Sequence, residues 1–121
     1  MYEQIVKYPP TRHIAGSRHQ KGDSPDDKPL AELENLYLVE EEKIDGANSA
    51  VSFSAGRDLL LQSRGHYLMG GGRERQFSLF KTWANTHANA FHSALGSRFI
   101  MYGEWAYAKH TCYYNALPAY F

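Results

Sequence analysis

The stretch "EEKIDGANSAVSF", residues 41–53, sets a lysine directly after acids, an Asp-Gly pair two residues on, and then an alternating run. A lysine amine has a reference pKa of about 10.4, so near neutral pH it is protonated and has no lone pair to attack with. Burial, a neighbouring cation or a bound metal favours the neutral, nucleophilic form. A carboxylate alone does the opposite. Lys43 and Asp45 together make chemical sense if Asp45 helps to hold a hydrated Mg²⁺, whose charge favours the free amine and offsets a polyphosphate. The plainer alternative is a solvent-exposed hairpin with ordinary charges.

Positioning such a lysine takes strands. "NLYLVEEEK", residues 35–43, alternates Leu36, Leu38 and Glu40 with Tyr37, Val39 and Glu41, which predicts a strand ending at Lys43. Gly46 permits a sharp backbone turn after it. "NSAVSFS" alternates more cleanly, "AGRD" at 55–58 suits a hairpin turn, and "LLLQSR" returns as a third strand. The period then changes. Phe77, Phe80, Ala84, Ala88, Phe91 and Leu95 form the apolar stripe of a helix covering a sheet, and Gly96 stands where helices end in a left-handed residue. "RFIMYGEW", residues 98–105, reads as a fourth strand. Residues 8–29 carry four of the five prolines and predict a long loop or arm. The fold class is α+β, a mostly antiparallel sheet with a covering helix.

The 121 residues suffice for one small domain or part of a larger one, and 43% apolar content excludes disorder throughout. No apolar run approaches the roughly 20 residues that cross a bilayer, and the N-terminus lacks the apolar stretch of a signal peptide. One cysteine, Cys112, permits no internal disulfide. The chain reads as soluble and cytoplasmic, with no membrane partner. Basic and acidic residues balance at 13 each, yet residues 21–45 hold nine acids against three bases, and residues 57–109 hold seven bases against three acids. That asymmetry makes either a local basic surface or a solvated helix face. The chain stops on an aromatic after a Pro-containing turn and leaves strand edges unpaired, the pattern of a fragment.

"EKIDGAN" resembles the nucleotidyl-acceptor motif KxDG of the covalent nucleotidyltransferases, the superfamily of ATP-dependent DNA ligases, RNA ligases and mRNA capping enzymes. Asn48, five residues after Lys43, matches the RNA ligase 2-like branch, where DNA ligases and capping enzymes usually place Arg. "LLLQSRG", with Arg64, resembles the second motif, and "FIMYGEWAYAKH", with Glu104, the third. Flanking text is similar to bacterial RNA ligase-like proteins from about Lys7 to Phe121. The resemblance implies the N-terminal part, residues 1–121, of one ATP-grasp-like nucleotidyltransferase domain whose C-terminal remainder is missing. It implies an ATP-dependent RNA ligase acting in RNA repair, with ATP and Mg²⁺ (or Mn²⁺) as cofactors and RNA as partner, possible rivals being nicked duplex or DNA as substrate. Under it, Lys43 attacks the α-phosphate to form lysyl-AMP, and Glu42 contacts adenine. Asp45 and Glu104 orient the metal's waters, Glu104 also lying near the ribose. Arg64 contacts ribose or phosphate, and Asn48 acts when AMP passes to a 5′-phosphate end and the 3′-hydroxyl attacks. The family's adenine-sandwiching aromatic, its fourth motif and its paired lysines are not identifiable in these residues. A nick-sealing DNA ligase of the same superfamily, or a non-catalytic module that binds nucleotides or nucleic-acid ends, remains open.

Other chemistry-bearing residues have plainer uses. Asn48 also suits a turn cap. "GGGRER" lacks phosphate-loop spacing and reads as a lead-in to the helix, with Arg73 and Arg75 either solvated or touching a nucleic-acid backbone. The histidines are scattered, His87 and His92 are poorly spaced for joint ligation, and no cysteine cluster joins them, so no zinc site is expected. Cys112 reads as buried and Trp83 as packing. Tyr102, Tyr107, Tyr113 and Tyr114 either stack on bases or pack.

Overall fold

The computed structural model describes residues 4–107 and 112–121. The described chain divides into two compact units, one of residues 8–43 and one of residues 1–7 with 44–121.

The larger unit is built on three antiparallel strands, β1 (Ala47–Phe53), β2 (Leu59–Ser63) and β3 (Met101–Trp105), in the order β2-β1-β3. The β1–β2 hairpin closes over Ala55 and Gly56, with Ser54 N–H donating to Asp58 O at 3.0 Å and Arg57 N–H to Ser54 O at 3.0 Å. Cross-strand partners share a face. Val51 pairs with Leu61 and Met101, and Phe53 with Leu59, which puts these apolar residues on one side. Asn48 pairs with Glu104, and Ala50 with Gln62 and Tyr102, on the other.

The apolar side is covered by a 3-10 turn (Gly72–Phe77) running into α1 (Ser78–Thr86), followed by α2 (Ala88–Leu95). The stripe foreseen as one helix is thus divided at His87, where φ is −101° and ψ 9°. Hydrogen bonding continues across the division, from His87 N–H to Trp83 O and from Phe91 N–H to His87 O. α2 ends at Gly96, whose φ is 55°. Phe77, Phe80 and Ala84 are buried with Val51, Phe53, Leu61 and Trp105, and Trp83, Phe91, Leu95 and Phe121 pack against them. Phe80 is the hub: its ring lies 5.4 Å from Trp105, 5.3 Å from Phe121 and 6.0 Å from Trp83. Trp83 packs against this core, as expected of it.

The opposite side is covered near its middle by the N-terminal segment. Gln62 Nε2 and the Tyr102 hydroxyl both donate to Val6 O, each at 2.8 Å. Burial pushes the Tyr102 phenol above its ordinary range, so the hydroxyl stays a donor. Both faces of β1 are therefore closed, and every residue from Ser49 to Phe53 is buried.

Two expectations change. Residues 36–43 form no strand: Leu36, Tyr37, Leu38 and Val39 are all exposed, Tyr37 at 94%, and among the described residues no chain pairs with them. Alternation supplies strand propensity, but a strand exists only where a ladder satisfies its backbone. The fourth expected strand begins at Met101 rather than Arg98, because Phe99 N–H still donates to Leu95 O and its ring is exposed.

"GGGRER" leads into the helix as expected, and Glu74 explains how. Its buried carboxylate accepts from Met69 N–H at 3.0 Å and Gly70 N–H at 2.8 Å, and pairs with Lys81 on α1. Lys81 first, then the two amides, hold the Glu74 carboxyl below its ordinary value near 4.5, against burial, which pushes it up. A depressed carboxyl contributes stability that is complete above the unfolded value and is lost as pH falls through the folded one. Glu74→Gln is therefore expected to flatten the acid side of the stability profile below about pH 4.5, read by urea unfolding across pH. In the core, Phe80→Ala is expected to cost about 3–5 kcal/mol, whereas Leu79→Ala on the exposed face should stay within about 0.5 kcal/mol, both by urea unfolding at neutral pH.

Candidate functional site

Glu42 and Lys43 are exposed and close the unit of residues 8–43. Since residues 36–43 are not a strand, Lys43 does not stand at a strand end as the alternation implied. Asp45, Asn48, Arg64 and Glu104 all belong to the other unit.

Within that unit the register brings two of them together. Asn48 on β1 and Glu104 on β3 are direct partners, both half-buried, on the face away from the helices. Arg64 is the first residue beyond β2, whose last residue, Ser63, partners Ser49. It sits on a tight turn: Ser63 N–H donates to His66 O at 2.9 Å, and Leu68 N–H to Leu61 O at 2.8 Å. Ser63 Oγ lies 3.0 Å from His66 Nδ1. The turn thus presents Arg64 to solvent at the same end of the sheet as Asn48 and Glu104.

Asp45 stands two residues before β1, half-buried, and its N–H donates to the Tyr114 hydroxyl at 2.7 Å. Tyr114 thereby holds the backbone at Asp45 and is half-buried rather than an exposed stacking ring. Its distance in sequence, 69 residues from Asp45, left no local signal. Tyr113 is exposed, and Tyr107 packs edge-on against Tyr120 with ring centres 5.2 Å apart. Cys112 is exposed, contrary to the burial expected of a lone cysteine, because it lies on the loop beyond β3 where no element covers it. The end of the third motif, residues 108–110, lies outside the described residues, as does His110.

Gly46 of the KxDG motif is needed for a reason other than a left-handed turn. A Cβ there would lie 2.7 Å from Trp105 O and 3.0 Å from Trp105 C. These are backbone atoms of a buried residue, so nothing nearby can yield. Gly103 is similar but softer: its Cβ would meet the Phe121 ring at 2.8 Å.

The two carboxylates expected to face a metal, Asp45 and Glu104, are hard oxygen groups, each half-buried with access to solvent. Carboxylate oxygens are the ligand type of a hydrated hard cation such as Mg²⁺, which keeps several waters, rather than of a soft metal.

Gly46→Ala should destabilise the protein by about 1–3 kcal/mol through overpacking, read as a lower urea midpoint. Gly65→Ala, whose added Cβ meets nothing within 4 Å, should stay within about 0.5 kcal/mol.

No helix among the described residues is long and apolar enough to cross a membrane. No curated protein and no solved structure matches the chain significantly. The model of one protein family, RNA ligase, matches residues 36–121, a span holding Lys43, Asp45, Asn48, Arg64 and Glu104. With the match covering well over half of its length, this chain belongs to the RNA ligase family.

Proposed function

We propose that the protein is an ATP-dependent RNA ligase that joins 5′-phosphate and 3′-hydroxyl ends through a lysyl-AMP intermediate, and that residues 1–121 are the N-terminal part of its nucleotidyltransferase domain. The observation that supports it best is the β1–β3 register, which sets Asn48 opposite Glu104 within the span matched by the family.

In this reading the unprotonated Lys43 amine attacks the α-phosphorus of ATP. A nitrogen–phosphorus bond forms, the α,β-anhydride breaks, pyrophosphate leaves with the electron pair, and the amine gives up one proton to solvent. Glu42 reads the adenine. Asp45 and Glu104 hold, through water, a Mg²⁺ that supplies charge neutralisation for the triphosphate. Glu104 also orients the ribose, and Arg64 neutralises a phosphate or binds the ribose at the end of the sheet. AMP then passes to a 5′-phosphate, and the 3′-hydroxyl displaces it, with Asn48 holding the end. Phosphoryl transfer depends mainly on positioning and charge stabilisation, so residues 1–121 alone, in which the family's paired lysines are not identified, are expected to take up AMP poorly.

The test is to incubate the full product of the reading frame with Mg²⁺ and ATP labelled in the α-phosphate, then map the covalent label. Label on Lys43, lost in Lys43→Ala and at least about 100-fold slower in Glu104→Gln, is the expected result, a loss of roughly 2.7 kcal/mol of barrier lowering or more. Labelling that survives in Lys43→Ala would refute Lys43 as the acceptor, and no labelling of the unaltered protein would leave a non-catalytic binding module. Nicked substrates with RNA or DNA on the 3′-hydroxyl side separate an RNA ligase, which prefers RNA there, from a DNA-sealing enzyme.

A further inference from the structure

The unit of residues 8–43 carries a cluster that the nucleotidyl-transfer reading does not use. Ile14 and Lys28 form a parallel bridge, with Ala15 N–H donating to Lys28 O at 2.9 Å and Lys28 N–H to His13 O at 2.6 Å. Arg12 reinforces it by donating to Asp26 Oδ1 at 3.0 Å, to Asp26 O and to Asp27 O. The chain between these anchors is thereby folded back on itself. His13, His19 and Asp23 converge, one ligand atom from each lying within 4.8 Å of the others. The two imidazole rings stack with centres 4.6 Å apart.

The contacts inside the cluster are close without being hydrogen bonds. His19 Nε2 lies 2.7 Å from Asp27 Oδ1, a buried oxygen that accepts no hydrogen bond of good geometry. His13 Nε2 lies 3.3 Å from Asp23 Oδ2, whose own hydrogen bond comes from Gln20 N–H at 2.6 Å. The nearby cations are engaged elsewhere: Arg12 with Asp26, and Lys28 with Glu32. Two carboxylates and two imidazoles thus face one another within ion-pair distance, and a buried carboxylate oxygen without a well-formed hydrogen bond is costly.

We propose that His13, His19 and Asp23, with Asp27 beside them, bind a divalent first-row transition ion of the zinc class. Two imidazoles with two carboxylates make a neutral-nitrogen and anionic-oxygen set suited to Zn²⁺ and poorly suited to Mg²⁺ or Ca²⁺, which take oxygen ligands. The size also fits. Ligand atoms on one tetrahedral zinc ion, at bonds of about 2.1 Å, stand about 3.4 Å apart, so side-chain shifts of roughly an ångström would gather atoms that already lie within 4.8 Å of one another. The expectation against zinc rested on the absence of cysteines and on His87 and His92. The available signal was the spacing His13, His19, Asp23, Asp27 in a loop tied at both ends. This inference stands independently of the nucleotidyl-transfer reading.

The test is titration of the metal-free full chain with Zn²⁺ in competition with a chromophoric chelator. One equivalent bound in the micromolar range or tighter is expected, with His13→Ala, His19→Ala and Asp23→Asn each weakening it at least about tenfold and the surface variant His87→Ala unchanged. In parallel, imidazole NMR of the unaltered protein should show the His13 and His19 ring signals moving with one equivalent of Zn²⁺ while His66, His87 and His92 stay fixed. This second arm decides the question even if a variant fails to fold. No saturable site, or ring shifts at other histidines only, would overturn the proposal.

Discussion

The central strand β1 is the constraint from which the larger unit takes its form. It is hydrogen-bonded on both edges and buried on both faces, so its register can satisfy only one arrangement of side chains. Because side chains alternate strictly, a slip of one residue between β1 and β3 would carry Glu104 to the helix side and Trp105 to the opposite one. A buried indole and a half-exposed carboxylate cannot trade places cheaply. The apolar core therefore fixes which residue stands opposite Asn48, and the chemistry of that end of the sheet depends on packing at the other side.

Trp105 links the two. Its ring lies among Phe80, Trp83 and Tyr107, its indole N–H donates to Gln76 O at 3.2 Å, and its carbonyl faces Gly46. The residue before it is Glu104 and the residue across from it is Ala47. One aromatic thus seats the helical layer, the start of β1 and the carboxylate of β3 together. Ala106 N–H then donates to Tyr120 O at 2.8 Å, which holds the last residues beside the strand and lets Phe121 reach the core.

Much of this was legible in the sequence where periodicity and burial agree. Val51 and Phe53 alternate and are buried, and Phe77, Phe80 and Ala84 follow a helical stripe and are buried. The hairpin at 55–58 carried its own turn chemistry. What escaped were features set by distant partners. Leu36 to Val39 have the pattern of a strand but lack a neighbour to complete one. The break at His87 lies within an unbroken stripe. Tyr114 reaches Asp45 across most of the chain, and the gathering of His13, His19 and Asp23 comes from backbone anchors at Ile14 and Lys28 rather than from helical or strand spacing. At the candidate site, the residue types were visible and the pairing of Asn48 with Glu104 was not, because register is a property of two strands.

The close approach of Gly46 to the Trp105 carbonyl bears on how genetic data for this segment are to be interpreted. In a library randomised across residues 43–48, position 46 would tolerate almost nothing, although a glycine has no side chain to donate, accept or attack. Its intolerance would measure the distance between two backbones. Ranking the segment by mutational sensitivity alone would count a spacer among the reactive groups, and only a readout that separates folded protein from turnover would remove it.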